Sequence, residues 1–91
     1  MTNVRFALTQ SERKLILEHG YPFEDFEKAL KACEGNPGSV EFELSPYWFE
    51  HLLGELARSA NHTADRALEG RLDDLYQELK GVVREHGLAS F

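Results

Sequence analysis

The sequence predicts a small α+β domain, mostly helical, in the order β-α-α-β-α-α, with a two-stranded antiparallel sheet packed on helices and a C-terminal antiparallel helical hairpin. Three observations predict it. Val4, Phe6 and Leu8 alternate with Arg5 and Ala7, and the same period of two returns at Val40, Phe42 and Leu44 against Glu41 and Glu43, the mark of half-buried strands. Between these segments the apolar spacing becomes helical and is broken by glycine twice. After the second, two long apolar helix faces follow one another across a break at Asn61 and His62, and so short a link favours an antiparallel pair. A chain of 91 residues is one domain at most, 1–91, with room for a single modest core.

Each element has its own start and stop. The first strand runs into Thr9, which with Glu12 forms a T-x-x-E capping box. The helix so opened carries Leu15, Ile16 and Leu17, and Gly20 is expected to end it in a left-handed conformation. Pro22 then suits a first helical position, and Glu24 and Asp25 complement the positive end of the helix dipole. Phe23, Phe26, Leu30 and Cys33 mark the inward face of this second helix. Cys33, the chain's single cysteine, can form no internal disulfide and is expected in the core. The turn Gly35-Asn36-Pro37-Gly38 delivers the chain to the second strand. The two strands should share an apolar face, with Arg5 set against the two glutamates on the other.

Ser45-Pro46 opens the third helix as cap and first-turn proline, with Leu44 and Phe49 as a hydrophobic staple across the corner. Phe49, Leu52, Leu53, Leu56, Ala57 and Ala60 form its inward face. Gly54 weakens a helix interior, and its presence suggests a second backbone close by. Thr63 is expected to cap the fourth helix, with Asp65 in the first turn. Leu68, Leu72, Leu75, Leu79 and Val82 or Val83 then recur in steps of four and three as a seam for the third helix. Arg84 and His86 suit the negative end of that helix and Gly87 its terminus.

Charge narrows the functional classes. Sixteen acidic residues face ten basic ones, divided evenly, five basic and eight acidic on each side of Ser45. Such a surface repels phosphate and anionic lipid, so no nucleic acid and no membrane is expected as partner, and a basic protein is the natural one. A helix-turn-helix reading of the first two helices would present Glu24, Asp25 and Glu27 against only Lys28 and Lys31, the wrong sign for a DNA groove. The opening MTNVRFALTQ lacks the apolar stretch of a signal peptide, and the expected address is the cytoplasm.

What remains points to protein contact. A two-stranded sheet has two edges, either of which can accept a strand from a second copy or another protein, with Glu41 and Glu43 on the edge strand. Tyr47, Trp48 and Phe49 fan over about 200° of the third helix, so with Phe49 inward at least one neighbour faces out, as interface aromatics do. The reading is a non-enzymatic interaction module with Tyr47, Trp48, Glu41 and Glu43 as contact residues, self-associating as a homodimer or binding another protein, and with no cofactor. A sharper version is an acidic immunity- or antitoxin-like inhibitor of a basic protein. The competing class is a small enzyme using the stripe Tyr47, His51, Glu55, Arg58 or Ser59, and His62, with His51 a general base oriented by Glu55, or His51, Glu55, His62 and Glu69 as metal ligands. His51 and His62 lie eleven residues apart, about 16 Å along a straight helix, too far to share one ion.

Overall fold

The computed structural model describes residues 3–85, with side chains to residue 82. The expectations for Val83, Arg84, His86 and Gly87 lie outside what it describes. Strand β1 (Val4–Leu8) is followed by helices α1 (Gln10–His19) and α2 (Glu24–Ala32), strand β2 (Val40–Leu44), and helices α3 (Pro46–His62) and α4 (Arg66–Glu85). The two strands pair antiparallel, Val4 opposite Leu44, Phe6 opposite Phe42 and Leu8 opposite Val40. Arg5 sits opposite Glu43, their charged groups 4.0 Å apart in solvent, a contact of small energetic weight. The fold is α+β, and α3 and α4 close it as a helical hairpin.

One core joins all six elements. Val4, Phe6 and Leu8 meet Ile16, Phe26, Leu30 and Phe49, and Leu52, Leu53 and Leu56 of α3 share the same cluster with Leu72, Leu75 and Leu79 of α4. The leucine seam of α4 is therefore spent inside the chain, on α3. Among the described residues no helix is long and apolar enough to cross a membrane.

The helix ends follow the sequence in part. Glu12 N–H donates to Thr9 Oγ1 (3.3 Å) and Thr9 N–H to Glu12 Oε1 (2.8 Å), so the capping box is complete. Trp48 N–H donates to Ser45 Oγ (3.4 Å), and Leu44 and Phe49 are both buried at the corner. Three junctions differ. Gly20 has an ordinary φ of −93° and is glycine for want of space, since a Cβ there would lie 3.0 Å from both Cγ2 and O of Ile16. The left-handed residue is Tyr21, at φ 46°. Pro22 precedes the helix rather than opening it, with Phe23 as the N-cap residue of α2. Thr63 ends α3, and the cap of α4 is Asp65, whose Oδ1 accepts from the N–H groups of Ala67 (3.0 Å) and Leu68 (3.2 Å). A carboxylate outcompetes a hydroxyl at that positive helix end.

Two interior expectations are corrected as well. Cys33 is half-buried at the C-cap of α2, its thiol directed at the carbonyls of Ala29 and Leu30 (3.4 and 3.5 Å). No neighbouring backbone approaches Gly54: among the described residues, its own helix backbone aside, nothing stands within 4 Å of where its Cβ would be.

Candidate functional site

The aromatic end of the molecule forms where α2, β2 and α3 begin or meet. Phe49 packs edge-on against Phe6 (5.1 Å between ring centroids), and Phe26 packs edge-on against both Phe6 (6.2 Å) and Phe42 (5.6 Å). From this buried centre the rings run outward. Phe23 lies 6.1 Å from Phe26 and stacks on Trp48 at 4.4 Å, and Trp48 in turn meets Tyr47 (5.0 Å) and His51 (5.5 Å) edge-on. Burial falls along the same path. Phe49 is inaccessible, Phe42, Phe23 and Trp48 are half-buried, and Tyr47 is 69% exposed.

The rotation of α3 explains the gradient. Phe49 must point inward to close the corner with Leu44, so Trp48, about 100° away, reaches the seam with α2, and Tyr47, another 100° on, reaches water. Trp48 thus serves the fold and the surface together, while Tyr47 serves the surface. The sheet edge adjoins this strip. Val4, Phe6 and Leu8 of β1 are buried, but their partners Val40 and Phe42 on β2 are only half-buried. Strand β1 lies against α1 and α4, and β2 against α3; among the described residues each strand pairs only with the other and no loop backbone hydrogen-bonds to either, so β2 keeps an outer edge. Glu41 and Glu43 stand exposed on the solvent face of that edge.

The polar stripe of α3 is put to other uses. Ser59 Oγ donates to the carbonyl of His19 (2.6 Å), tying the end of α1 to α3. Glu55 pairs with Arg58 (3.7 Å), no hydrogen bond joins it to His51 among the described residues, and only a shallow depression lined by Tyr47, Glu50 and His51 lies beside the imidazole. His51, His62 and Glu69 are exposed, and no three His, Cys, Asp or Glu side chains among the described residues converge as metal ligands. On α2 both lysines are paired within the helix, Lys28 with Glu24 (3.2 Å) and Lys31 with Glu27 (3.6 Å).

Arg13 is the residue the sequence reading missed. It is 1% exposed and spans four backbone carbonyls. Nη1 donates to Leu8 O (2.9 Å) and Gly38 O (2.8 Å), and Nη2 to Cys33 O (3.3 Å) and Asn36 O. The guanidinium thereby clamps the end of β1 to the whole α2–β2 connection, its charge answered by carbonyl dipoles that include the negative end of α2. Among the described residues Nε is buried without a hydrogen-bond partner. A cavity of about 430 Å³ beside it, lined by Gln10, Ser11, Lys14, Leu17, Leu30 and Glu34, shares no residue with the aromatic end.

A carboxyl pair links α1 to α4. Glu78 is raised to about 7 by its hydrogen bond with Glu12, with partial burial and repulsion from Glu12 acting in the same direction. Burial pushes Glu12 upward, but the hydrogen bonds it takes from Glu78 and from Thr9 outweigh this and hold it below the ordinary carboxylate value. Arg71 and Asp74 border the same small cavity.

Comparisons with protein-family models, with curated proteins and with solved structures give no match to this chain.

Proposed function

We propose that this chain is a non-enzymatic protein-interaction module whose contact surface is the aromatic end of α3 with the adjoining edge of β2. The observation that carries this reading is the graded aromatic strip that runs from Phe42 over the buried Phe26 to Phe23, Trp48 and Tyr47. Phe42, Phe23 and Trp48 are half-buried against the core, and Tyr47, edge-on to Trp48, is 69% exposed. Pre-ordered aromatic rings lose little conformational entropy on binding and dominate interface energetics. The edge of β2 supplies main-chain hydrogen-bonding groups beside them.

The test is site-specific photo-crosslinking in the source cells. A photoreactive residue replaces Tyr47, and in a second protein it replaces Asp73, which is exposed on α4. The expected result is a discrete protein adduct from position 47 that is missing from position 73. Equal adducts at both positions, or none at position 47, would refute the surface. Tyr47 suits this experiment better than Trp48, whose replacement would also break the stack on Phe23.

A further inference from the structure

We infer that the edge of β2 binds an extended basic segment of another protein, which joins the sheet as a third strand, and that it does not pair with β2 of a second copy. This rests on the contact surface proposed above and specifies its occupant. Three observations carry it.

The first is unequal burial across the sheet. Registered partners should be buried alike when both strands have neighbours, yet Val40 and Phe42 are half-buried opposite the buried Leu8 and Phe6. A third strand beside β2 would cover Val40 and Phe42 from the side that is now open.

The second is the register that a second copy would need. Two β2 strands related by a two-fold axis run antiparallel, and keeping the apolar faces on one side restricts the pairing to shifts of two residues. With Phe42 opposite its own counterpart, Glu41 falls opposite Glu43 at two places. Shifting by two residues in either direction sets Glu41 opposite Glu41, or Glu43 opposite Glu43. Every such register places like charges directly across the strands, which opposes pairing.

The third observation is the neighbour that β2 already accepts. Strand β1 reads Val-Arg-Phe-Ala-Leu, apolar inward with a basic residue outward, and its Arg5 stands opposite Glu43. A segment with basic residues two apart and apolar residues between would meet Glu41 and Glu43 on one face and the aromatic strip on the other. The glutamates that keep copies apart are thus the groups that select a basic strand.

The experiment is an NMR titration of the full chain with two peptides, Val-Lys-Phe-Lys-Val and its twin Val-Glu-Phe-Glu-Val, each flanked by Gly-Ser for solubility. The lysine peptide is expected to shift the amides of Val40–Leu44 and to bind at least about tenfold more tightly than the glutamate twin at low salt, the gap narrowing as salt is added. The double variant Glu41→Gln with Glu43→Gln, which alters only exposed groups, should bring the two affinities to within about twofold of each other. Shifts centred outside β2, equal affinity of the two peptides for the unaltered chain, or binding of neither would overturn strand addition. A discrete adduct at position 47 alongside any of those results would leave the contact surface standing and remove only this mode. Loss of the adduct would remove the surface itself.

Discussion

Replacing Arg13 by methionine is the sharpest perturbation of this fold. Methionine keeps most of the stem volume and removes the charge and four hydrogen bonds. The bond to Leu8 O lies fully inside the protein, and an unsatisfied buried carbonyl costs about 1–3 kcal/mol. The acceptors at Cys33, Asn36 and Gly38 lie in the exposed α2–β2 connection, where water can replace the guanidinium, so each lost bond costs roughly 0.5–1 kcal/mol. Relief from burying a charge whose Nε has no partner offsets on the order of 1–2 kcal/mol. The net expectation is a loss of about 2–3 kcal/mol, against a total stability of roughly 5–14 kcal/mol for a chain of this length.

Urea unfolding at unchanged m-value should therefore show a midpoint lower by about 1–2 M. Hydrogen exchange adds the location. The N–H groups of Asn36 and Gly38, bonded to Cys33 O and to Asn36 Oδ1 at 2.9 Å, should lose protection before the helices do. Lysine should rescue little, because one ammonium cannot reach two pairs of carbonyls. A methionine variant as stable as the parent, or more stable, would refute the clamp and show that burying the charge costs more than its four bonds return.

Other substitutions test the remaining elements. Gly54→Ala should stabilise by about 1 kcal/mol, since the site is mid-helix with nothing within 4 Å, and a lower melting temperature would disprove that open space. The raised Glu78 carboxyl favours the folded state while protonated, so its contribution is complete below the unfolded value near 4.5 and is lost as pH rises through about 7. Glu78→Gln should therefore leave stability at pH 4.5 almost unchanged and raise it at pH 8. Because the group is largely exposed, the gain should be under about 1 kcal/mol; denaturation curves at the two pH values check it, and an equal effect at both would contradict the pairing with Glu12. Trp48→Ala should cost about 2 kcal/mol through lost burial and the Phe23 stack, while Tyr47→Ala stays within about 0.5 kcal/mol, and thermal melts that reversed this order would overturn their assigned positions.

The architecture was legible because its signals are local: strand alternation at Val4–Leu8 and Val40–Leu44, the boxes at Thr9 and Ser45, and the leucine steps of α4. Some of the missed features are local and others depend on distant chain. Gly20 answers crowding by Ile16 one turn earlier, and the left-handed residue is its neighbour Tyr21, which a turn rule keyed to glycine does not register. Arg13 lies three residues before Ile16 and seven before Gly20, on the helix face that is buried, so helical spacing did place it inward. Its charge hid that position, since an arginine becomes a core residue only when four carbonyls from two other segments converge on it. The candidate surface was half legible: the fan of Tyr47, Trp48 and Phe49 requires an exposed ring, but only the stack on Phe23 decides that the exposed one is Tyr47.

The aromatic strip and the sheet edge coincide because both are set at one corner. Strand alternation through Phe42 and Leu44 fixes which face of β2 is apolar, and the Ser45 cap then begins α3 without an intervening loop, so the rotation of Phe49 follows from the side chain of Leu44. With Phe49 committed inward, Trp48 and Tyr47 have no freedom to face elsewhere. Glu41 and Glu43, on the opposite parity from Phe42, are turned to the solvent face by the same alternation. The acidic face and the aromatic flank of the β2 edge are therefore two consequences of one register, and a segment that pairs with that edge meets carboxylates on one side and rings on the other.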